Sequence, residues 1–377
     1  MKAKYFKLIA GSAALGWCML SASVFAAAPS AALHDAQKKA KAQGLIFETS
    51  HDDIVAKAKA EGKVRVLSSF DPDNYKVLAQ AFKKKYPFIE VEVQELTGTA
   101  ANERFLLELK TGTVKEWDAY QLSSDNYNAL AEFAKKFDIL GMAQSGVLAI
   151  PAGMIDPKNR NVVAEGSALS SIAYNKKLLD PEKTPNTWDD FLKPEFKGRK
   201  FLVDIRPHGF AALAAGMGEE WMVNYARKLK DQEPIWVRGH TRALTAMIAG
   251  EYSLHQLTNY HSCMRAMEKD RTGSLMCKVI EPVPVRLIEP EGVVMSSSRP
   301  YAALLWLEFQ ATPEGQRIVD EHEPLKSSVF APNSALQKVT GGKKLAVNGW
   351  DTWHNTPKWQ KMAIEAFGFP KATRRKR

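Results

Sequence analysis

From Val64 onward the apolar residues of this chain keep changing period, from every second position to every third or fourth, and few architectures accept that pattern. Residues 64–67 read as a short apolar strand. Val77, Leu78, Ala81 and Phe82 then fall at helical spacing within 71–86, and Pro87 stops the helix because its ring blocks a further turn. Residues 89–93 alternate apolar and charged, as a strand with one buried face does, and a helix bearing Phe105, Leu106 and Leu109 follows. A third strand over 117–122 leads into a helix through Tyr127, Leu130, Phe133 and Phe137, with Asp125 as its cap. Strands separated by helices of this length predict a parallel sheet covered by helices on both faces, the α/β class.

The rhythm pauses at Pro151 and Pro157, then resumes with strands over 170–174 and 201–203. Trp221, Met222, Tyr225 and Leu229 share one helix face, and Ala243, Leu244, Met247 and Ile248 share another. Thr241 is a good N-cap for that second helix and Gly250 a good stop. A last strand over 292–295 precedes helices opened by Pro300 and by Thr312-Pro313-Glu314. At 377 residues, 45% hydrophobic and 25% charged, the chain is long enough for two core-bearing lobes.

The flanks set the compartment. Lys2, Lys4 and Lys7 precede small and apolar residues over 8–20, and Val24-Phe25-Ala26 permits cleavage after Ala26, so residues 1–26 read as a secretory signal peptide. The apolar stretch contains Gly11 and Gly16 and falls short of the roughly 20 residues a membrane span needs. Cys18 follows bulky Trp17, a poor context for lipid attachment. Residues 27–62 form a linker and a helix capped by Ser50 and ended by Gly62. In the periplasm, an oxidising compartment, Cys263 and Cys277 either pair or stand as two separately buried thiols. The formal charge of +10 includes three signal lysines and five basic tail residues from Lys371 to Arg377, which leaves +2 for the body. Such a balance gives no sign of a nucleic-acid partner.

A series of local segments carries a family resemblance. Glu61-Gly62-Lys63 leads into the first strand; Ile172-Ala173-Tyr174-Asn175, Pro185-Asn186-Thr187-Trp188-Asp189-Asp190-Phe191 and Pro194-Glu195-Phe196-Lys197-Gly198-Arg199 follow in the middle. Ala249-Gly250-Glu251-Tyr252 and Thr312-Pro313-Glu314-Gly315-Gln316 come later. In this order the chain resembles the extracellular solute-binding proteins (family 1) of ABC importers, in particular the ferric-iron-binding-protein-like branch. The resemblance implies a periplasmic-binding-protein-like type II fold, two doubly wound α/β lobes joined by two hinge strands. Lobe 1 would span 63–168 and 288–377, and lobe 2 would span 169–287. It also implies a monomer that needs no cofactor, delivers a small molecule or ion to the permease and ATPase of an importer, and meets the inner membrane only through the permease.

In a doubly wound lobe, ligands sit beyond the carboxyl ends of strands, where helix N-termini present free N–H groups. That rule points to Ser69, Phe70 and Asp71 after the first strand, Gly98 and Thr99 after the second, and Ser123 and Ser124 after the third. Each residue also serves plainly as a turn or cap. In the middle segment, Arg206, His208 and Gly209 enter an Ala-rich helix, and Arg238 and Thr241 enter another; such loops suit phosphate, carbonate or carboxylate, or else hold surface salt bridges.

The resemblance implies ligands most sharply at Leu257-Thr258-Asn259-Tyr260-His261, where iron-binding relatives place two adjacent tyrosines. Fe(III) is hard and favours phenolate and carboxylate oxygen. This chain keeps Tyr260 but has His261 at the second position, and the histidine ligand of relatives falls on Asp71. Asp71, Tyr260 and His261 therefore form the candidate metal set, with a synergistic anion beside a bound Fe(III). Two other ligand classes stay open. One is an organic anion such as a phosphonate, sugar phosphate or carboxylate held by Arg206, Arg238 and His208; the other is a polyamine between Asp71 and the aromatic walls Phe70, Tyr174 and Tyr260. A secreted enzyme on the same fold is the alternative from another class, but no nucleophile elbow, metalloprotease helix, phosphate loop or Cys-x-x-Cys is present. The expectation is a binder, not an enzyme.

Overall fold

The computed structural model describes residues 31–369; the signal segment, Cys18 and the basic tail lie outside them. Ten strands form among the described residues: β1 (Lys63–Ser68), β2 (Glu90–Glu95), β3 (Ala119–Gln121), β4 (Val162–Asn175), β5 (Leu202–Asp204), β6 (Ile235–Val237), β7 (Leu254–Asn259), β8 (Leu275–Lys278), β9 (Val283–Val293) and β10 (Leu345–Asn348). They pair in the order β2-β1-β3-β9-β4-β7-β5-β6, with β10 on β9 and β8 on β4.

Two long strands divide this order into lobes. The first half of β4 pairs with β9, the last register pair being Leu169 with Val285. From Ser170 onward β4 pairs instead with β7 and β8. β9 carries β10, β4 and β3 along its length. The result is a pair of α/β lobes connected by two hinge strands, the type II periplasmic-binding architecture.

Each lobe has its own core. In lobe 1 the Pro72–Lys85 and Pro300–Ala311 helices bury Leu78, Phe82, Trp306 and Phe309 beneath the sheet. The Pro300–Ala311 helix is buried on nearly every face, and its two polar residues are bonded, Glu308 to His51 and Ala149 N and Gln310 to Glu291. Lobe 2 buries Trp188, Phe191, Phe201, Phe210 and Tyr225 together. Local signals behave as their chemistry requires: the Ser50 hydroxyl accepts from Asp53 N, Gly62 closes its helix in the left-handed region at φ 68°, and the Thr312 hydroxyl accepts from Gly315 N.

Several expectations need correction. The sheet is mixed, because the hinge strands run antiparallel to β3, β7 and β8 while the βαβ units stay parallel. β4 begins at Val162 rather than 170, and β9 at Val283 rather than 292. The helix expected to reach Phe137 ends at Phe133. Gly239, not Thr241, occupies the N-cap of the His240–Ile248 helix. Residues 288–377 do not all belong to lobe 1: Trp350 and Trp353 pack on Tyr127 there, but the Thr356–Phe367 helix buries Trp359, Ala363 and Phe367 in the lobe 2 core. Cys263 and Cys277 are joined as a disulfide that ties the Tyr260–Lys269 helix to β8.

Candidate functional site

Three helices of lobe 2 begin at one cavity of about 170 Å³ beside the hinge. They are His208–Met217, His240–Ile248 and Tyr260–Lys269, and none of their preceding residues, Pro207, Gly239 and Asn259, caps the helix with a side chain. The first N–H groups of an α-helix have no partner within it and carry a partial positive charge, so uncapped starts are places where an anion is stabilised. Gly209 lets the first of these helices approach the sheet: a Cβ there would stand 2.0 Å from Leu257 Cδ2 and 2.9 Å from Ser170 Oγ.

Side chains add charge to the same place. Arg206 is held by Asp204, with Nε 3.2 Å from Oδ1 and Nη2 3.0 Å from Oδ2. Asp204 also accepts the main-chain N–H of Arg206 at 2.9 Å and of Gly239 at 3.1 Å, which ties both loops to the end of β5. Burial works to raise the Asp204 pKa, but the Arg206 bonds outweigh it and leave the carboxyl below its usual range. His240 lines the cavity at 8% exposure. Its Nδ1 lies 3.5 Å from Asp204 Oδ2 and makes no hydrogen bond. Burial holds the His240 ring below the ordinary histidine pKa, and the fully buried His255 behind it, ring centroids 5.8 Å apart, is lowered to about 3 by burial and by His240. His208 reaches the cavity from its helix and shares a hydrogen bond with Gln360 at 3.0 Å.

Across the hinge, lobe 1 offers a second cavity of about 240 Å³. Ser69, Thr97, Gly98, Ser123 and Ser124 line it, as does Glu289 on β9. Buried Gln121 shapes this wall by accepting from Ser68 Oγ and Ser69 N, and Asn102 does so by accepting from Ser123 N at 3.1 Å and donating to Gly98 O at 2.9 Å. The Ser69 hydroxyl donates to Glu289. Gly98 precedes the Thr99–Thr111 helix without a side-chain cap.

Arg286 lines both cavities. It projects from hinge strand β9, is exposed, and forms no ion pair with any described residue.

The remaining sequence-derived candidates fall elsewhere. Asp71 and His261 share a third cavity, of about 290 Å³, with Arg265, Glu323 and Lys326. Burial lowers His261 to about 4, helped by Lys326 and Arg265. Tyr260 packs among Leu169, Val283, Val285, Val329 and Leu336, and burial raises its phenol pKa. Phe70 lies in the lobe 1 core and Tyr174 in the lobe 2 core, so neither forms a wall of the cleft. Arg238 and Thr241 are exposed and outside these three cavities. Among the described residues no group of three or more His, Cys, Asp or Glu is placed to hold a metal ion. A wider groove of about 700 Å³ opens at the Leu254 end of β7, opposite Asn259. Lobe 2 alone builds it, so lobe closure cannot enclose a ligand there.

Sequence reasoning missed Asp204, His240, Arg286 and Glu289. A charged residue inside the apolar run Val285-Arg286-Leu287 was the available signal for one of them, since an arginine on a hinge strand needs a partner or a ligand.

A family model described as a bacterial extracellular solute-binding protein matches residues 126–356. No curated protein matches the sequence. Among solved structures, a Bordetella ferric binding protein matches with a TM-score of 0.63 at 15% identity, covering 81% of this chain and 98% of that one. Ferric iron-binding protein A of Mannheimia haemolytica in an open conformation gives 0.60 at 17%, with the same coverage. A Trichodesmium FutA protein in complex with iron and citrate gives 0.59 at 18%, again over 81% and 98%. Identities this low speak for the fold.

Proposed function

The chain belongs to the bacterial extracellular solute-binding protein family, and on that premise we propose that it captures a small anion between its lobes in the periplasm and presents it to an ABC-type importer. The observation that carries the reading is Arg286: an unpaired arginine on the hinge, common to a cavity where three uncapped helices start and to one lined by hydroxyls. A ligand in contact with both walls adds interactions only in the closed form, and that difference shifts the open–closed equilibrium toward the form the importer receives. No helix among the described residues is long and apolar enough to cross a membrane, in keeping with a binder that reaches the bilayer through its permease.

Free ferric ion fits these residues less well. Tyr260 is buried in an apolar cluster, where burial favours the neutral phenol, and only Asp71 and His261 of the candidate donors share a cavity. The polyamine reading loses its aromatic walls, Phe70 and Tyr174 to the two lobe cores and Tyr260 to the apolar cluster around Leu169 and Val285. A ferric chelate remains a second reading. The Trichodesmium structure holds iron with citrate, and a chelate's free carboxylates would meet Arg206 and Arg286 as any other anion would.

Calorimetric titration of ligand-stripped protein with inorganic phosphate, citrate, ferric citrate and ferric chloride tests the proposal. An anion should bind, the double substitution Arg206→Ala with Arg286→Ala should abolish that binding, and Tyr260→Phe should leave it unchanged. Tight binding of ferric chloride with a visible phenolate-to-iron band, lost in Tyr260→Phe, with no affinity for any anion, would overturn it.

A further inference from the structure

We infer that the solute is a phosphate monoester or phosphonate with a hydroxylated body, its phosphoryl head in the lobe 2 cavity and its hydroxyls on Glu289 and Ser124 of lobe 1. This assignment rests on the anion reading above and names the ligand's two ends.

The head group follows from the number and direction of donors. Three helix starts, Arg206, Arg286 and His240 meet around a space of about 170 Å³. Asp204 already offsets one charge by pairing with Arg206, so Arg286 and the helix starts supply the net attraction. A carboxylate keeps its two oxygens and their lone pairs close to one plane, whereas a tetrahedral phosphoryl group points three terminal oxygens in three directions and so matches donors that arrive from three helices. His240 adds a buried, polar ring to the same wall, its Nδ1 turned toward Asp204 Oδ2 at 3.5 Å.

The body follows from lobe 1. Its wall presents the Ser69, Thr97, Ser123 and Ser124 hydroxyls around the single carboxylate of Glu289. One oxygen of Glu289 takes the Ser69 hydroxyl, and the other carries no hydrogen bond to any described residue. Glu289 is also held at φ 53°, a region that residues with a Cβ seldom adopt and that clusters at ligand clamps. A carboxylate here repels a second anionic group, which limits the ligand to one charged head. An ammonium group is disfavoured in turn, because Arg286 lines the same cavity and no aromatic ring faces it. Neutral hydroxyls satisfy both constraints, donating to Glu289 and accepting from Ser124 and Arg286.

Calorimetry with ribose 5-phosphate, glucose 6-phosphate, inorganic phosphate, 2-aminoethylphosphonate and citrate tests this assignment. At least one sugar phosphate should bind a hundredfold or more tighter than inorganic phosphate. Glu289→Gln and Ser124→Ala should each remove tenfold or more of that advantage while leaving inorganic phosphate unchanged, with native melting curves showing both variants folded. Sugar phosphates binding no tighter than inorganic phosphate would overturn the inference, as would indifference to both substitutions. Tight binding of citrate or 2-aminoethylphosphonate alone would also overturn it while leaving the anion reading intact; a folded protein that binds none of the five would end both.

Discussion

Asp204 and Arg206, two residues apart at the end of β5, face one another through two contacts, Nε to Oδ1 at 3.2 Å and Nη2 to Oδ2 at 3.0 Å. The pair makes Arg206 a positioned group rather than a free surface charge, and it links the helix start at His208 to the turn at Gly239, whose N–H Asp204 also accepts. Replacing the carboxylate separates charge from position. Asp204→Asn raises the net positive charge at the cleft, yet we expect about tenfold weaker anion binding because Arg206 and Gly239 lose their common anchor. It should also cost about 1–3 kcal/mol of stability, as when a buried hydrogen-bonded group loses its partner. Titration beside urea unfolding checks both; tighter binding would show Asp204 to be only a competing charge.

Gly209 is the point at which a helix start touches the floor of the cleft. A Cβ there would overlap Leu257 and crowd Ser170. Gly209→Ala should therefore push the helix outward, destabilise lobe 2 by about 1–3 kcal/mol, as overpacking does, and weaken binding about tenfold. Unfolding midpoints and titration of the variant measure the two effects; full retention of affinity would mean that the helix start does not touch the ligand.

The hinge strands bury a carboxyl pair, Glu165 on β4 and Glu291 on β9. Burial drives both pKa values up, Glu291 to about 8 despite its bonds to Gln310 and Gln121 and with a further push from Glu289; Glu165 is raised by burial and by Glu291. The folded state thus keeps protons that the unfolded chain releases near the ordinary carboxyl range. Their contribution to stability is complete below that range and is lost as pH rises toward 8. Thermal melts between pH 5 and pH 8 should show a decline of several degrees from this source, and Glu291→Gln should flatten it. An unchanged slope in the variant would show that these carboxyls do not couple folding to protons.

The Cys263–Cys277 disulfide closes a loop with a sequence separation of 14. A closed loop of that length stabilises by about 3 kcal/mol, chiefly by restricting the unfolded chain. Cys263→Ala with Cys277→Ala should lower the unfolding free energy by that amount. Ligand affinity should change little, since neither cysteine lines the cleft. Equal denaturation midpoints for the variant and the native protein would contradict this.

The short βαβ units of lobe 1 were legible because their apolar faces obey a single period and their ends carry local chemistry such as Ser50, Gly62 and Thr312. β4 and β9 escaped notice for the opposite reason. Both are buried on two faces and interrupted by Glu165, Gly166, Pro290 and Gly292, so neither alternation nor a clean apolar run marks them. Local pattern therefore marks only a stub of each hinge strand, and Arg286 and Glu289 lie outside the stub of β9. Phe70 and Tyr260 show the reverse error: each follows a strand near the cleft, but its side chain turns into an apolar cluster, while Tyr174 lies across from Leu254 at the strand end away from the cleft.

From sequence alone came the alternating α/β class, the caps and stops and the loops that start helices in lobe 2, all of them consequences of interactions between near neighbours in the chain; the two hinged lobes were what the family resemblance implied. Tertiary structure decided which of those loops share a cavity, that Arg286 lines both that cavity and the lobe 1 cavity without an ion pair among the described residues, and that Tyr260 faces apolar side chains. These outcomes depend on how β4 and β9 cross from one lobe to the other, and pairing across more than a hundred residues leaves no local period to read.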